Sequence, residues 1–503
     1  MQGLQATAVT IEVNATRGVR FVLVGLPDNA VKESHERILA AIENSGFTFP
    51  TRQITINLSP ADIRKEGSGY DLPMAIGILA TEDKVNTSQL GKYMMVGELS
   101  LDGSLVPIRG ALPVAIKARE MGFEGLFVPE GTIREAAVVN KLKVYGVKHI
   151  TQVVNHLNGT ALLEPTVVDT RGEFYARQYE FDYDFADVKG QEHVKRAMEV
   201  AAAGGHNIIM IGPPGSGKSM LAKRMPSILP PLSLQESLET TQIHSVAGTL
   251  PAGCSLMAQR PYRSPHHTIS QVALVGGGTN PQPGEISLAH NGILFLDELP
   301  EFQRSVLEVL RQPLEDRVIN VSRAKYSVTF PCSFMFVASM NPCPCGYYNH
   351  PTKACCCTPG QIVRYLNKIS GPLLDRIDLQ IELSPVPFSD LSKMEPGEPS
   401  EKIRERVIRA RKIQEERFRD YALIHSNAQM TEKMLGQYCV LDSQTTEVLR
   451  EAMIRLNLSA RAYSRILKVA RTIADLEGKE NIEFAHVAEA VGYRTLDRSS
   501  WGE

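Results

Sequence analysis

The stretch Asn207-Ile-Ile-Met-Ile-Gly-Pro-Pro-Gly-Ser-Gly-Lys-Ser219 decides the fold. Residues 207–211 form an apolar run that reads as a buried strand, and residues 220–225 continue in a helical pattern. Between them Gly212, Pro213, Pro214, Gly215, Ser216, Gly217, Lys218 and Ser219 satisfy G-x-x-x-x-G-K-[ST] in the strand–loop–helix setting that gives this pattern its meaning. Glycines let backbone N–H groups turn inward around a phosphate, and the N-terminus of the following helix adds a favourable dipole. Lys218 is expected to reach the β- and γ-phosphates of ATP, and Ser219 to ligate Mg²⁺.

Two more strands are expected downstream. Residues 292–296 are apolar and end in Asp297-Glu298. Asp297 at a strand end suits the Mg²⁺ shell, and Glu298 suits a general base acting on water. Residues 333–338 lead into Ser339-Met340-Asn341. The Asn341 amide suits a bond to the γ-phosphate or the water, or a turn before Pro342. Arg376 follows a helical stretch and precedes an expected strand at 378–383. It is placed to stabilise phosphoryl charge in a neighbouring subunit, or to pair with Asp375 or Asp378.

Further out, the expected fold class is α/β through about the first three quarters of the chain. Strand-like runs at 21–24 and 53–58 alternate with helical patterns at 28–44, 73–82 and 113–121. The periodicity fades over 160–173, and from residue 401 nearly everything reads as amphipathic helix. We therefore expect an N-terminal α/β domain at 1–165, a linker at 166–184, a nucleotide-binding core with insertions at 185–390 and a helical lid at 391–503.

The phosphate loop and Asp297 are about 80 residues apart, long for one step of such a fold, so an insertion is expected over 231–289. A hairpin is expected from 318–322 and 326–330, with Arg323 and Lys325 at its tip. In a ring, such tips would grip DNA phosphates, and Arg260 and Arg263 would act alongside them. Phosphate contacts carry no base identity, so single-stranded or branched DNA would bind with little sequence preference.

Composition sets limits. The 503 residues carry 54 Lys and Arg against 56 Asp and Glu, a net charge of −2, which excludes binding nucleic acid by bulk positive charge. No apolar run approaches the roughly 20 residues of a membrane span, and the first residues lack a secretory pattern, so a cytoplasmic protein with reduced thiols is expected. Of eight cysteines, Cys343, Cys345, Cys355, Cys356 and Cys357 crowd into one segment. Two C-x-C pairs can give four thiolates to a structural Zn²⁺.

The phosphate loop, Asp297-Glu298, Asn341, Arg376 and the helical lid together resemble an AAA+ ATPase. The run Arg260-Pro-Tyr-Arg-Ser-Pro-His-His267, with Gly276-Gly-Gly and 283–292, resembles the magnesium-chelatase-like branch, and the whole chain resembles the ComM/YifB family. That resemblance implies a hexameric ring with nucleotide at subunit interfaces, Arg376 as the arginine finger and Arg461 as the sensor-two arginine of the lid. It implies a helicase driving DNA branch migration during natural transformation, with recombination proteins as possible partners. It matches Cys355 and Cys357 to the family's second metal pair, with Cys356 and His350 as substitutes. The N-terminal domain resembles the Lon-protease fold, but Gly69 and Leu112 fall where Lon has its serine and lysine, so a catalytically inactive domain is expected. A chelatase motor and a protein-remodelling ATPase are the other function classes this resemblance leaves open.

Overall fold

The computed structural model describes residues 3–278, 281–323, 326–385, 396–421, 423–456 and 458–494. They form two compact units, residues 1–176 with 237–257, and residues 177–236 with 258–503.

The first unit is built on period-two strands. Thr10–Thr16 runs antiparallel to Gln53–Ser59, and Phe21–Val24 lies parallel on the other side of it. Alternation sends Ile54, Ile56 and Leu58 inward. Helix Asn29–Asn44 starts where the Asp28 carboxylate accepts the Val31 N–H at 2.8 Å, and it buries Val31, Ile38, Ala41 and Ile42 on that sheet. A second, parallel sheet joins Tyr93–Met95, Gly125–Pro129 and Lys143–Val147. Leu112 is fully buried among Ala111, Ala115, Leu126 and Val128, so no base stands there. Beside Gly69, the Ser68 hydroxyl donates to the Glu98 carboxylate.

Two features differ from the sequence reading. A helix, Thr170–Arg177, occupies part of the stretch expected as a linker. Phe174 is buried on it, and Glu173 pairs with Arg134 at 2.5 Å. Residues 237–257, inside the stretch expected as an insertion in the core, belong to the first unit. There the Ser245 carbonyl accepts from Gly110 N–H at 3.0 Å, and Gln242 Nε2 donates to the Leu4 carbonyl at 2.7 Å.

The second unit centres on a five-stranded parallel sheet. Its spatial order is Tyr262–Arg263, Ile293–Leu296, Met335–Met340, Ile208–Ile211 and Leu379–Glu382. Ile208–Ile211, Ile293–Leu296 and Met335–Met340 are buried at every residue, which is why they read as unbroken apolar runs. The hairpin pairs Val318–Arg323 with Tyr326–Pro331 as expected. Its tip, with Lys325 and the Arg323 side chain, lies outside the described residues.

Helices Ser400–Arg417, Glu432–Tyr438, Ser443–Arg455, Ala460–Leu476 and Phe484–Gly492 complete this unit. Helix Ala460–Leu476 is capped by Ser459, whose Oγ accepts the Ala462 N–H at 3.2 Å. It buries Ile466, Val469, Ala470, Ile473 and Ala474 at helical spacing. These join Ile208, Met210, Phe295 and Val337 in one apolar cluster, so lid and sheet share a core. Each of the larger of these side chains contributes about 1.5–3 kcal/mol by leaving water.

Candidate nucleotide and metal sites

Parallel strands deliver their C-terminal ends to one edge, and the site is assembled there. Ile208–Ile211 leads into the phosphate loop. Its neighbour Met335–Met340 ends at Asn341, and the next strand, Ile293–Leu296, ends at Asp297. Gly215 and Gly217 have φ of +78° and +90°, which places the loop backbone where other residues are strained. Gly217 is the cap of helix Lys218–Arg224.

Lys218 is buried. Its Nζ donates to the carbonyls of Gly212 at 2.7 Å and Pro213 at 3.0 Å, and to Asn341 Oδ1 at 3.3 Å. Burial lowers its pKa, against the pull of Asp297 and Glu298. Ser219 Oγ donates to Asp297 Oδ2 at 2.6 Å. The other carboxylate oxygen of Asp297 accepts from the Ser339 hydroxyl and, at 3.0 Å, from the Glu298 N–H. Ser219 and Asp297 thus stand together, as a shared Mg²⁺ would require. Ser216 Oγ is buried with no partner among the described residues. Glu298 is exposed, in the left-handed region at φ +53°, and its Oε2 lies 3.8 Å from His267 Nδ1.

The structure therefore brings Gly212 to Ser219, Asp297, Glu298 and Asn341 together. Ser339, given no role in the sequence reading, joins them, and so does His267, which that reading took as structural. A hydroxyl two residues before Asn341 was the available signal for Ser339.

The arginines stand elsewhere. Arg376 is buried, donating from Nη1 to the Pro372 carbonyl at 2.6 Å and from Nη2 to Glu315. It pairs with neither Asp375 nor Asp378. Arg461 is exposed and donates to Asp375 Oδ2 at 2.8 Å. Arg260 uses all five N–H groups within its own unit, on the carbonyls of Pro230, Pro231 and Asn291 and on both oxygens of Glu236. Arg263 is held by both oxygens of Glu285 at 2.6 Å. Arg260 is thus a brace with no donor left for a phosphate, and Arg263 is committed to a forked ion pair. Neither geometry is that of the free DNA contact expected of them.

Two residues beyond Asn341 the thiols begin. The Sγ atoms of Cys343, Cys345, Cys355 and Cys357 all lie within 4.8 Å of one another. Cys343 is 3.3 Å from Cys345 and 3.7 Å from Cys355, and Cys345 is 3.5 Å from Cys355. A tetrahedral thiolate site with bonds of about 2.3 Å has sulfurs about 3.8 Å apart, so this quartet fits one metal ion. Burial opposes ionisation of Cys345, but backbone N–H groups of Tyr347 and Cys356 and the thiols of Cys343 and Cys357 bring it down to about 6. Cys356 is exposed and outside the quartet, and His350 Nδ1 accepts the backbone N–H groups of Thr352 and Lys353.

This sheet order, phosphate loop and acidic strand define a P-loop nucleoside-triphosphate-binding fold of the AAA+ type. The family model described as magnesium chelatase, subunit ChlI matches residues 184–391. Those for subunit ChlI of Mg-chelatase and the subunit ChlI C-terminal region match 11–132 and 397–494. The chain is 44% identical to competence protein ComM of Haemophilus influenzae over 505 residues, 99% of this chain and 96% of that protein. It is likewise 44% identical to protein YifB of Escherichia coli over 503 residues, 99% and 96% of the two chains. Lon protease 2 of Bacillus subtilis is 31% identical over 157 residues, 28% of this chain and 27% of that protein. The chain belongs to the ComM/YifB family of magnesium-chelatase-like AAA+ ATPases. Among the described residues no helix is long and apolar enough to cross a membrane.

Proposed function

We propose that the protein hydrolyses ATP with Mg²⁺ in a homo-hexameric ring and uses the energy to move along DNA, driving branch migration when incoming DNA recombines during natural transformation. The observation that carries the ATPase half is the pairing of Lys218 with Asn341 and of Ser219 with Asp297 at the C-terminal ends of adjacent strands. The full-length likeness to a competence protein supports the DNA half.

Each residue has a task. Backbone N–H groups of 212–219 and Lys218 bind the phosphates, and Ser219 and Asp297 hold Mg²⁺. Bound there, Mg²⁺ supplies neutralisation of charge on the β- and γ-phosphates. Glu298 takes the proton of the attacking water, Asn341 orients it, and Arg461 meets the nucleotide from the lid. Arg376 serves the neighbouring subunit's nucleotide. Cys343, Cys345, Cys355 and Cys357 hold a structural Zn²⁺ that braces the loop after Asn341.

A second reading is a motor for inserting a metal into a tetrapyrrole, favoured by the three chelatase family models. One assay separates them. Full-length protein is given ATP with and without forked or three-stranded DNA, and hydrolysis and strand exchange are recorded for wild type and Lys218→Ala. Branched DNA should stimulate hydrolysis, with strand exchange lost in Lys218→Ala. Turnover indifferent to DNA, with no strand exchange, refutes the DNA motor.

A further inference from the structure

Two arginines one turn apart on helix Ala460–Leu476 hold the two acids that bracket Arg376. Arg461 Nη1 donates to Asp375 Oδ2 at 2.8 Å, and Arg465 Nη1 lies 3.0 Å from Asp378 Oδ1. The pairs differ in burial. The Asp378 side chain is 1% exposed and Arg465 23%, whereas Asp375 is 30% exposed and Arg461 67%. From the opposite side, Asn207 Nδ2 donates to the Arg376 carbonyl at 2.9 Å, and the Asn207 carbonyl accepts the N–H groups of Asp378 and Leu379, both at 3.0 Å. Asn207 immediately precedes strand Ile208–Ile211. The turn 375–378 is therefore fastened to the phosphate-loop strand through Asn207, and to the lid through a buried ion pair at Asp378 and a more exposed one at Asp375. The Arg376 guanidinium meanwhile rests on Glu315 and Pro372, and its Nε has no partner among the described residues.

We infer that Asp375 is a positioning residue that ties Arg376 to the occupancy of the same subunit's own nucleotide site, with Arg461 as the go-between. The inference rests on the proposed reading that Arg461 meets nucleotide in its own subunit and Arg376 serves the neighbour. Its physical content is a competition for one guanidinium. A single carboxylate is a weak partner for an arginine that is itself exposed to water. A triphosphate offers several charged oxygens and binds the same fork more strongly. When triphosphate arrives, Arg461 leaves Asp375, and the turn loses its exchangeable fastening while the buried Arg465–Asp378 pair keeps lid and turn joined. Arg376 can then trade Glu315 for the neighbour's phosphoryl oxygens. With its own site empty, Arg461 returns and the turn is locked. A subunit thus lends its arginine only while it holds triphosphate, which gives hydrolysis an order around the ring.

Mixed assemblies test this. Wild-type protein is mixed with Lys218→Ala subunits, whose own site stays empty, and ATP turnover is followed against composition. At equal amounts about a quarter of full activity is expected, because an active subunit also needs an active neighbour. Adding Asp375→Asn to the Lys218→Ala subunits should raise this about twofold, to half, and Asp375→Glu should restore the quarter. Asp375→Ser serves the same purpose if the Asn variant folds poorly by circular dichroism. Superimposable curves for Lys218→Ala with and without the Asp375 change overturn the inference. The underlying reading fails separately: Arg376→Ala subunits, whose own site is intact, should regain turnover when mixed with Lys218→Ala subunits that also carry Asp375→Asn, and no recovery shows that Arg376 serves no neighbour.

Discussion

A Cβ placed on Gly346 would stand 2.6 Å from Pro214 Cδ, so the turn that carries Cys343 and Cys345 rests directly on the phosphate loop. Gly346 also has φ +82°. Gly346→Ala therefore has to move one of the two loops and adopt a strained backbone, at a cost of about 1–3 kcal/mol. Nucleotide affinity should fall with thermal stability. Titration with a fluorescent ATP analogue and a melting curve check this, and unchanged nucleotide affinity would show that the contact transmits nothing.

The thiol quartet should travel with its metal. Elemental analysis of freshly purified protein is expected to give about one zinc per chain. Releasing it with a thiol reagent should lower the melting temperature, and Cys343→Ser should do the same. Less than about half an equivalent in carefully prepared protein counts against the site.

Lys218 and Glu298 should separate binding from chemistry. Lys218→Ala removes a phosphate ligand and is expected to lose both affinity and turnover. Glu298→Gln keeps the loop and the Ser219–Asp297 pair, so nucleotide should still bind while hydrolysis falls on the order of 10²–10⁴-fold. Equal turnover in Glu298→Gln would remove Glu298 from the reaction.

Arg260 makes a sharper test, because its two readings predict opposite results. With five N–H groups on three carbonyls and Glu236, Arg260→Ala takes the guanidinium away from a half-buried carboxylate and three carbonyls. We expect a loss of roughly 3 kcal/mol in urea unfolding. A surface DNA contact would instead leave stability alone and weaken DNA binding only.

Acid should loosen the second unit through His206. Its ring is wholly buried, with Nδ1 3.1 Å from Asp378 Oδ2 and Nε2 2.7 Å from Thr472 Oγ1. Burial lowers its pKa, against the pull of Asp378 and together with Lys468 and Arg465. The unfolded chain takes up a proton near pH 6.5, the native ring only at lower pH. Stability is therefore full above about pH 7.5 and declines as pH falls, by up to roughly 1.4 kcal/mol per unit. Urea midpoints between pH 7.5 and 5.5 should fall in wild type and flatten in His206→Gln.

Local signals made much of this legible. Helices Glu432–Tyr438, Ser443–Arg455 and Ala460–Leu476 have the limits their amphipathic patterns imply. The phosphate loop and the Asp297 strand were equally plain, because buried parallel strands are unbroken apolar runs. Partnerships distant in sequence were not. Nothing near Arg376 points to Glu315, 61 residues away, and a basic residue looks the same whether carbonyls or phosphates take its donors. Helix Thr170–Arg177 was hidden because its polar composition conceals burial resting chiefly on Phe174.

The assignment of residues 237–257 to the first unit has a practical edge. The chain passes from one unit to the other three times, after residues 176, 236 and 257, so no single scission yields two intact pieces. A truncation beginning near residue 177, made to isolate the ATPase, would leave Leu238 and Ser245 without the apolar neighbours and the Gly110 amide they meet in the whole chain. Dissection of this protein therefore calls for excising 237–257 as well, with a short bridge in its place, rather than trimming from one end.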